Sequence, residues 1–279
     1  MKKHELLPLL ETLGVFPSRK LGQNFLIDAN MLDAMVRDAA PKEGESILEV
    51  GPGTGVLTRR LLAAGCRVTA VEFDHRLSAY LNGALGTDPR LRLVQADACK
   101  LNYDELMGSG PWRCIANLPY SCSSVFLAKA IEAVNPPSEL FVLLQLEMAR
   151  RLAAKERTPD YGALTVMLQM LYQVEIVRRV PGSVFYPPPD VDSAFVAMRR
   201  RPDALSGPVR LTAVRVAKLG FGHRRKKLAR LLEEAAAPET IANAFAALGI
   251  SPDARAEELP VDLWPKLAAR LVPESAGQL

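Results

Sequence analysis

The residues with the clearest chemical potential are Asn117, Leu118, Pro119 and Tyr120, which follow an apolar run predicted to be a buried strand. Asn117 offers a carbonyl acceptor, Pro119 stiffens the bend because its ring fixes φ, and Tyr120 offers an aromatic face. These groups suit an exocyclic amine on a planar base, since acceptors can hold its N–H groups while the ring stacks. Taken alone, an ordinary proline turn beside a core tyrosine explains the same residues equally well.

A glycine-rich turn lies nearer the N-terminus, between an apolar run and residues spaced at helical period. Gly51, Gly53 and Gly55 form a G-x-G-x-G pattern, in which backbone can approach a ligand where a Cβ would collide. The dinucleotide fingerprint needs glycine at position 56, where this chain has Val56, and Glu49 favours a cationic nucleoside over a pyrophosphate. Both points favour S-adenosylmethionine over NAD as the cofactor, although a tight packing turn is the competing explanation.

Two acidic residues end the next two predicted strands. Glu72 lies about 20 residues past the glycine turn, where a carboxylate can accept hydrogen bonds from ribose hydroxyls. Asp97 and Ala98 follow the third strand, so Asp97 is a candidate contact for the adenine ring of a nucleoside cofactor. An exposed loop carboxylate is the alternative for Glu72, and a helix cap is the alternative for Asp97.

Two basic stretches are candidate contacts for a polyanion. Arg19 and Lys20 precede a glycine turn and suit phosphate, although composition alone favours a solvated loop. The densest basic run lies at the predicted start of an amphipathic helix over 223–236, where a solvated face and an RNA-binding face are equally possible. This run is Arg224, Arg225, Lys226 and Lys227.

Composition predicts a folded protein of the reducing cytoplasm. The 279 residues are 49% hydrophobic, and 35 Lys and Arg against 31 Asp and Glu give a formal charge of +4, which permits a nucleic-acid partner without requiring one. The four cysteines form no C-x-x-C pair and the three histidines are scattered, so we predict no metal site and expect the thiols in or near the core. No secretory segment or run of about 18 apolar residues is present, which predicts a soluble protein without a membrane partner.

The order of apolar runs predicts an α/β fold with a mostly parallel sheet of seven strands and an antiparallel edge. The predicted strands are 47–50, 66–71, 91–95, 112–116, 140–146, 174–180 and 193–198. Gly, Ser and Pro at 203–209 indicate a linker, so we predict a catalytic domain over 1–202 and a small all-helical domain over 203–279. The helices predicted in the second domain are 210–220, 223–236, 238–248 and 262–271.

These segments appear in an order that resembles the ribosomal RNA adenine N6-dimethyltransferase family, and within it the bacterial small-subunit (16S) rRNA dimethyladenosine transferases. The resemblance covers nearly the whole chain, and NLPY together with GQNFL carries most of its specificity. The matching segments are GQNFL at 22–26, EVGPGTGVLT at 49–58, Glu72, DA at 97–98, NLPY at 117–120, QLEMAR at 145–150, YG at 161–162 and FYPPPDVDS at 185–193.

The resemblance implies a Rossmann-like S-adenosylmethionine-dependent methyltransferase sheet and a role for each motif residue. Asn24 and Leu26 would close over the cofactor, Gly51 would lie against its methionine end, and Glu72 would hold the ribose. Gly53 would also contact the cofactor. Asp97 with Ala98 would contact the adenine ring. Asn117 would lie between cofactor and target base, with Tyr120 and Phe185 stacking on that base. The basic run of the helical domain would bind RNA, and the implied partner is 16S rRNA in a small ribosomal subunit or its precursor. Independently of the resemblance, we expect a monomer.

Three departures from the family pattern leave these functional groups in place. Thr54 stands where an apolar residue is frequent, Ser121-Cys122 follows NLPY where Asn-Ile is common, and Ala96 replaces glycine before Asp97. Three other functions were weighed: an NAD-dependent oxidoreductase, a non-catalytic ribosome-assembly factor and a large-subunit rRNA dimethylase. Val56 and NLPY disfavour the first, the complete motif set disfavours the second, and the closer match from GQNFL to FYPPPDVDS disfavours the third.

Overall fold

Apolar runs that alternate with amphipathic segments form a sheet covered by helices. The computed structural model describes residues 1–17, 22–205, 207–223 and 225–272. The strands are β1 (Phe25–Leu26), β2 (Ser46–Val50), β3 (Arg67–Glu72), β4 (Leu91–Gln95), β5 (Arg113–Asn117), β6 (Glu139–Gln145), β7 (Tyr172–Val180), β8 (Phe185–Tyr186) and β9 (Ser193–Arg200). The helices are α1 (Lys3–Thr12), α2 (Ala29–Ala39), α3 (Val56–Ala63), α4 (His75–Leu85), α5 (Tyr103–Met107), α6 (Ser123–Glu132), α7 (Leu146–Leu152), α8 (Ala163–Gln169), α9 (Gly207–Gly220), α10 (Leu228–Leu232), α11 (Pro238–Leu248) and α12 (Leu263–Leu271).

Seven strands form one sheet in the order β4-β3-β2-β5-β6-β9-β7. The pairs from β4 to β6 are parallel, whereas β9 pairs antiparallel with β6, from Glu139 opposite Arg199 to Gln145 opposite Ser193. The predicted sheet is confirmed, with β9 lying between β6 and β7. Chain order runs outward from β2 to β4 and then returns to β5, so the carboxyl ends of β2 and β5 border the crevice where ligands bind in such sheets.

A separate two-stranded sheet joins two motifs that lie far apart in the sequence. β1 pairs antiparallel with β8, with Phe25 opposite Tyr186 and Leu26 opposite Phe185. Leu26 and Phe185 are buried in the same hydrophobic cluster as Ile47 and Phe195. The GQNFL and FYPPPDVDS motifs therefore form one element beside the main sheet.

Local signals explain where the helices near the crevice begin. Asp28 accepts a hydrogen bond from the Met31 backbone N–H at the start of α2, as is typical of an N-cap residue. Asp74 accepts from the backbone N–H groups of Arg76 and Leu77 at the start of α4. These caps fix the entry of the chain into the two helices directly after β1 and β3.

The chain divides into two compact units, Met1–Ala149 with Glu175–Arg199 and Arg150–Val174 with Arg200–Leu279. The sequence placed 150–174 in the first domain, whereas its contacts join it to the second unit. The Tyr161 hydroxyl donates to the Leu259 carbonyl at 2.8 Å, and the Tyr161 ring lies 5.9 Å from that of Phe221. Because Tyr161 and Leu259 lie nearly a hundred positions apart, no local sequence pattern predicts that they are in contact. The functions assigned to the two domains remain predictions.

The predicted helix over 223–236 is wrong in extent, because among the residues of that range that the structure describes only Leu228–Leu232 is α-helical. Arg225, Lys226 and Lys227 precede α10, and Lys227 has the extended conformation of an N-cap residue. Cations are unfavourable at a helix N-terminus, where the helix dipole is positive. Lys227 pairs with Asp253 instead. Within the described residues, each helix is too short or too polar to cross a bilayer.

Candidate active site

A crevice with two adjoining compartments lies at the carboxyl ends of β2, β3, β4 and β5. The first compartment has a cavity volume of about 70 Å³ and the second about 250 Å³, and both are open to solvent. Gly51, Glu72 and Pro119 line both compartments, so the two are parts of one site.

Most sequence-predicted residues of the first unit meet in this crevice. The first compartment is lined by Asn24, Leu26, Gly51, Gly53, Glu72, Asn117, Leu118, Pro119 and Tyr120. The second compartment is lined by Gly51, Glu72, Asp97, Ala98 and Pro119. The roles assigned to these residues remain predictions, and the structure supplies their arrangement.

The glycine turn is required by packing against protein groups. Gly51 has φ +70, and a Cβ there would lie 2.7 Å from the Pro119 Cγ. A Cβ on Gly55 would lie 2.6 Å from Leu81 Cδ2 on α4. The expected collision with a ligand is therefore not needed to explain these glycines, because Gly51 allows the NLPY bend to reach the turn.

The Glu72 carboxylate organises the turn from the end of β3. One oxygen accepts the Gly53 backbone N–H at 3.0 Å, and the other accepts the Asp74 backbone N–H at 2.9 Å. Burial raises the pKa of Glu72, whose residue is 5% exposed. The Phe73 backbone N–H also contributes to the stabilisation of the carboxylate. A carboxylate has about four acceptor positions, so Glu72 can still receive a hydrogen bond from a ligand.

Glu49 is a second buried acid in the same crevice. It is 2% exposed, and the Thr58 hydroxyl donates to its carboxyl group at 2.7 Å. Burial raises the pKa of Glu49 to about 8, and the nearby Glu72 charge acts in the same direction. Glu49 is therefore mainly protonated at neutral pH until a positive charge lies close to it.

The Asn117 amide is oriented by the backbone of the GQNFL motif. Its Nδ2 donates to the Asn24 carbonyl at 3.1 Å. Because the amide nitrogen is engaged there, the Asn117 Oδ1 is the atom left to accept from a ligand. The end of β5 and the residue just before β1 thus set the direction of the Asn117 side-chain carbonyl.

The two backbone carbonyls of the bend differ in their partners. The Pro119 carbonyl accepts the Cys122 N–H at 3.1 Å and lies 3.4 Å from the Cys122 Sγ. Among the described residues, none donates to the Leu118 carbonyl. Of these two carbonyls, that of Leu118 has its acceptor capacity available.

Tyr120 is held at its hydroxyl end. Its Oη lies 2.5 Å from the Oγ of Ser193, a buried residue at the start of β9. Burial raises the pKa of Tyr120, so its phenol is neutral at physiological pH. The hydroxyl anchor leaves the aromatic ring, which lines the first compartment, in a fixed position.

Asp97 forms a local turn and also borders the second compartment. Its Oδ1 accepts the Cys99 backbone N–H at 2.9 Å, and its Oδ2 lies 3.7 Å from the Lys100 Nζ. The alternative helix-cap role is not observed, since Asn102 caps α5. One carboxylate oxygen thus has capacity for a ligand at this strand end.

Phe185 is not brought to the crevice. It is 2% exposed, packs in the core with Leu26 and lines neither compartment. Its predicted stacking on a base would require the residue to leave that core. Arg19, Lys20 and Arg224 lie outside the described residues, whereas Arg225, Lys226 and Lys227 are exposed in the second unit.

Several lining residues were not found by sequence reasoning. Gln23, Phe73 and Cys99 line the second compartment, and Thr58 supports Glu49 from α3. Phe73 follows Glu72 directly, and Cys99 lies two positions after Asp97. Their closeness in the sequence to a predicted site residue is the signal that could have identified them. Within the ranges that the structure describes, no cluster of three or more His, Cys, Asp or Glu is placed to hold a metal.

Replacement of Glu49 by Gln should remove a pH-dependent cost of folding. Because the folded-state pKa is raised to about 8, the wild-type free energy of unfolding falls as pH rises from about 4.5 to 8, by at most about 1.4 kcal/mol per pH unit. Gln is neutral throughout, so Glu49→Gln should gain stability relative to wild type between pH 6 and pH 8. Urea unfolding midpoints at pH 6, 7 and 8 measure this difference.

The matched control is Glu11→Gln, which changes an exposed carboxyl on α1. The difference in the free energy of unfolding between Glu11→Gln and wild type should stay constant from pH 6 to pH 8. A constant difference for Glu49→Gln as well would contradict the raised pKa.

Comparison with known proteins agrees with the geometry of this crevice. The model of the family described as "Ribosomal RNA adenine dimethylase" matches residues 17–272. A "Ribosomal RNA small subunit methyltransferase A" from Anaeromyxobacter sp. strain K is 41% identical over 277 residues, covering 94% of this chain and 96% of that protein. A protein of the same name from a Nostoc strain is 36% identical over 266 residues, covering 91% and 97%.

Solved structures give the same result for the fold. The 23S rRNA methyltransferase ErmE has a TM-score of 0.64 and 29% identity, covering 89% of this chain and 99% of that one. A dimethyladenosine transferase from Plasmodium falciparum has a TM-score of 0.72 at 22% identity, covering 87% and 95%, which bears on the fold alone. With a family model that spans residues 17–272 and relatives aligned over more than nine-tenths of its length, the chain belongs to the ribosomal RNA adenine dimethylase family.

Proposed function

We propose that this chain transfers methyl groups to N6 of two adjacent adenines in small-subunit (16S) rRNA, giving N6,N6-dimethyladenosine during ribosome biogenesis. The enzyme is an S-adenosylmethionine-dependent rRNA adenine dimethyltransferase of the family identified above. The observation that carries the proposal is the hydrogen bond from Asn117 Nδ2 to the Asn24 carbonyl, which aims an amide acceptor at the switch point of the sheet.

The crevice fits the cofactor of this family. Its two compartments suit the two ends of a nucleoside with an amino-acid chain, and Glu72 at their junction has acceptor sites for ribose hydroxyls. Gly51 and Asn24 would lie at the methionine end, and Asp97 with Ala98 at the adenine end. The buried Glu49 favours a ligand that carries positive charge.

When bound, S-adenosylmethionine supplies an activated methyl group on a positively charged sulfur. The remaining task of the protein is to present the adenine amine, which is a poor nucleophile because its lone pair is delocalised into the ring. Asn117 Oδ1 and the Leu118 carbonyl can accept its two N–H groups, which draws the nitrogen toward tetrahedral geometry. Positioning of this kind can contribute about 7–11 kcal/mol to catalysis.

Tyr120 offers the stacking surface for the target base. Its ring lines the first compartment while its hydroxyl is held by Ser193, so stacking would not require the side chain to be ordered on binding. The base must leave its stack to enter the crevice, at a cost of a few kcal/mol. A mononucleotide would lack the contacts between the protein and the RNA backbone that offset this cost.

No histidine lines either compartment within the described residues, and the buried Glu49 carboxyl group is already engaged by the Thr58 hydroxyl. We therefore propose that the amine proton leaves to water after transfer. The second methylation needs room for one methyl group already on N6.

The small-subunit target rests on the relatives at 41% and 36% identity, whereas the large-subunit enzyme ErmE is 29% identical. We further propose that the protein acts as a cytoplasmic monomer on a small subunit or its precursor, and that basic residues of the helical unit bind RNA. The direct test incubates the protein with labelled S-adenosylmethionine and unmethylated small or large subunits, and maps the product. Dimethyladenine only in the large subunit would overturn the small-subunit assignment.

Replacement of Gly51 by Ala should weaken cofactor binding at least tenfold. The added Cβ would meet Pro119 at 2.7 Å, so the turn and the NLPY bend must separate. Titration calorimetry with S-adenosylhomocysteine measures the loss. Gly44→Ala is the matched control, because Gly44 also has positive φ but open space around its Cβ. Equal effects in both variants would show that backbone strain alone is responsible.

Replacement of Asn117 by Ala should lower the methylation rate by about 10²–10³-fold, as for loss of one oriented polar group in an active site. Binding of S-adenosylhomocysteine should change little, because Glu72 and the glycine turn remain. Filter-binding assays on unmethylated small subunits measure the rate. Asn82→Ala, on the exposed face of α4, is the control. A near-normal rate for Asn117→Ala would refute the assigned role.

Charge reversal at Arg225 and Lys226 should weaken small-subunit binding while cofactor binding stays intact. Both side chains are exposed, and lost phosphate contacts should also reduce the salt dependence of binding. The control reverses Arg37 and Lys42, which gives the same net charge from exposed positions of the first unit. If both variants lose the same affinity for the small subunit, the change in net charge alone explains the loss. Unchanged affinity in the Arg225 and Lys226 variant would contradict an RNA-binding role for these residues.

A further inference from the structure

The second compartment carries two thiols that the proposed methylation does not use. Cys99 follows the Asp97-Ala98 turn and Cys122 follows the NLPY bend, so they come from opposite walls of the compartment. Both are half-buried and line the open space. Cys122 is also one of the departures from the family pattern noted in the sequence.

The backbone of each cysteine is fixed within its own wall. The Cys99 N–H donates to Asp97 Oδ1 at 2.9 Å, and the Cys122 N–H donates to the Pro119 carbonyl at 3.1 Å. The Cys122 thiol donates to the Pro119 carbonyl at 3.4 Å, and Cys99 and Cys122 lie close enough for each to influence the pKa of the other. The two walls therefore bring their thiols to the same open space.

We propose that Cys99 and Cys122 form an oxidation site, in which a hydroperoxide converts the two thiols to a disulfide that closes the adenine end of the crevice. The bond would tie the Asp97 turn to the bend that holds Asn117. Disulfide formation and cofactor binding would then exclude one another. The effect on cofactor binding rests on the proposed function, whereas the disulfide does not.

The chemistry balances in two steps. The Cys99 thiolate attacks the peroxide O–O bond and becomes a sulfenic acid, while the departing oxygen leaves as water or an alcohol after protonation. The Cys122 sulfur then attacks the Cys99 sulfur, an S–S bond forms and the sulfenic hydroxyl leaves as water. Two thiols are oxidised by two electrons, and one peroxide is reduced.

The order of attack follows from the surroundings of the two sulfurs. Burial raises the pKa of Cys122 strongly, to about 12, whereas burial and the neighbouring Asp97 carboxylate raise the pKa of Cys99 to a lesser extent and Cys122 lowers it in part. Cys99 is thus the thiol that ionises first, and Cys122 is the resolving partner. Since few molecules carry the thiolate at neutral pH, the reaction should need prolonged exposure to oxidant.

The test treats the reduced full-length protein with hydrogen peroxide and maps disulfides by mass spectrometry. We expect tryptic peptide 93–100 linked to peptide 114–129, with fragmentation placing the bond at Cys122, since Cys114 lies on the same peptide. Binding of S-adenosylhomocysteine should fall at least tenfold in the oxidised protein and return after dithiothreitol. The same ligand, added before peroxide, should slow the linkage.

Variants separate this pair from the other thiols. Cys99→Ser and Cys122→Ser should each lose the linked peptide and the peroxide-induced fall in ligand affinity, measured as the oxidised-to-reduced ratio within each variant. Cys66→Ala, which removes a buried thiol from outside the crevice, should keep both. Thiol loss without a Cys99–Cys122 bond, or a bond that leaves ligand affinity unchanged, would overturn the proposal. Failure of the reduced protein to bind the ligand would instead count against the proposed function, since the peptide map is independent of it.

Discussion

The burial of two carboxyl groups beneath the glycine turn constrains the rest of the site. Glu49 and Glu72 are both removed from water, which disfavours their ionised forms and raises both pKa values. The Thr58 hydroxyl and the backbone N–H of Gly53 offset part of this cost. A cationic ligand would offset more, so the turn is arranged for a positively charged nucleoside and not for a pyrophosphate.

The sheet could be predicted because parallel strands covered on both faces leave continuous apolar runs in the sequence. The run LFVLLQ at 140–145 lies almost wholly in β6, and each flagged acid or amide follows a strand as the switch-point rule requires. Glu72, Asp97 and Asn117 therefore meet at one edge although up to 45 residues separate them. Strand ends are predictable from local pattern, and sheet topology then brings their side chains together.

Features set by distant contacts could not be predicted in this way. Segment 150–174 joins the helical unit through Tyr161, whose partner Leu259 lies 98 positions away. The basic run was assigned to a helix by composition, but its cations would oppose the helix dipole, and α10 begins only at Leu228. Phe185 was placed beside the pocket because of its motif, whereas its pairing with Leu26 turns it into the core.

Contacts with residues far away in the sequence also hold the NLPY bend in place. β5 supplies Asn117, the backbone of Asn24 fixes the orientation of the amide, and Ser193 at the end of the FYPPPDVDS motif holds the Tyr120 hydroxyl. β1 and β8 pair with each other, so the GQNFL and FYPPPDVDS motifs that provide the second and third supports cannot move independently. A group that must place an amine to within about 0.5 Å needs such support from outside its own loop. The wide separation of these motifs in the sequence is therefore a consequence of building one acceptor site from three segments of chain.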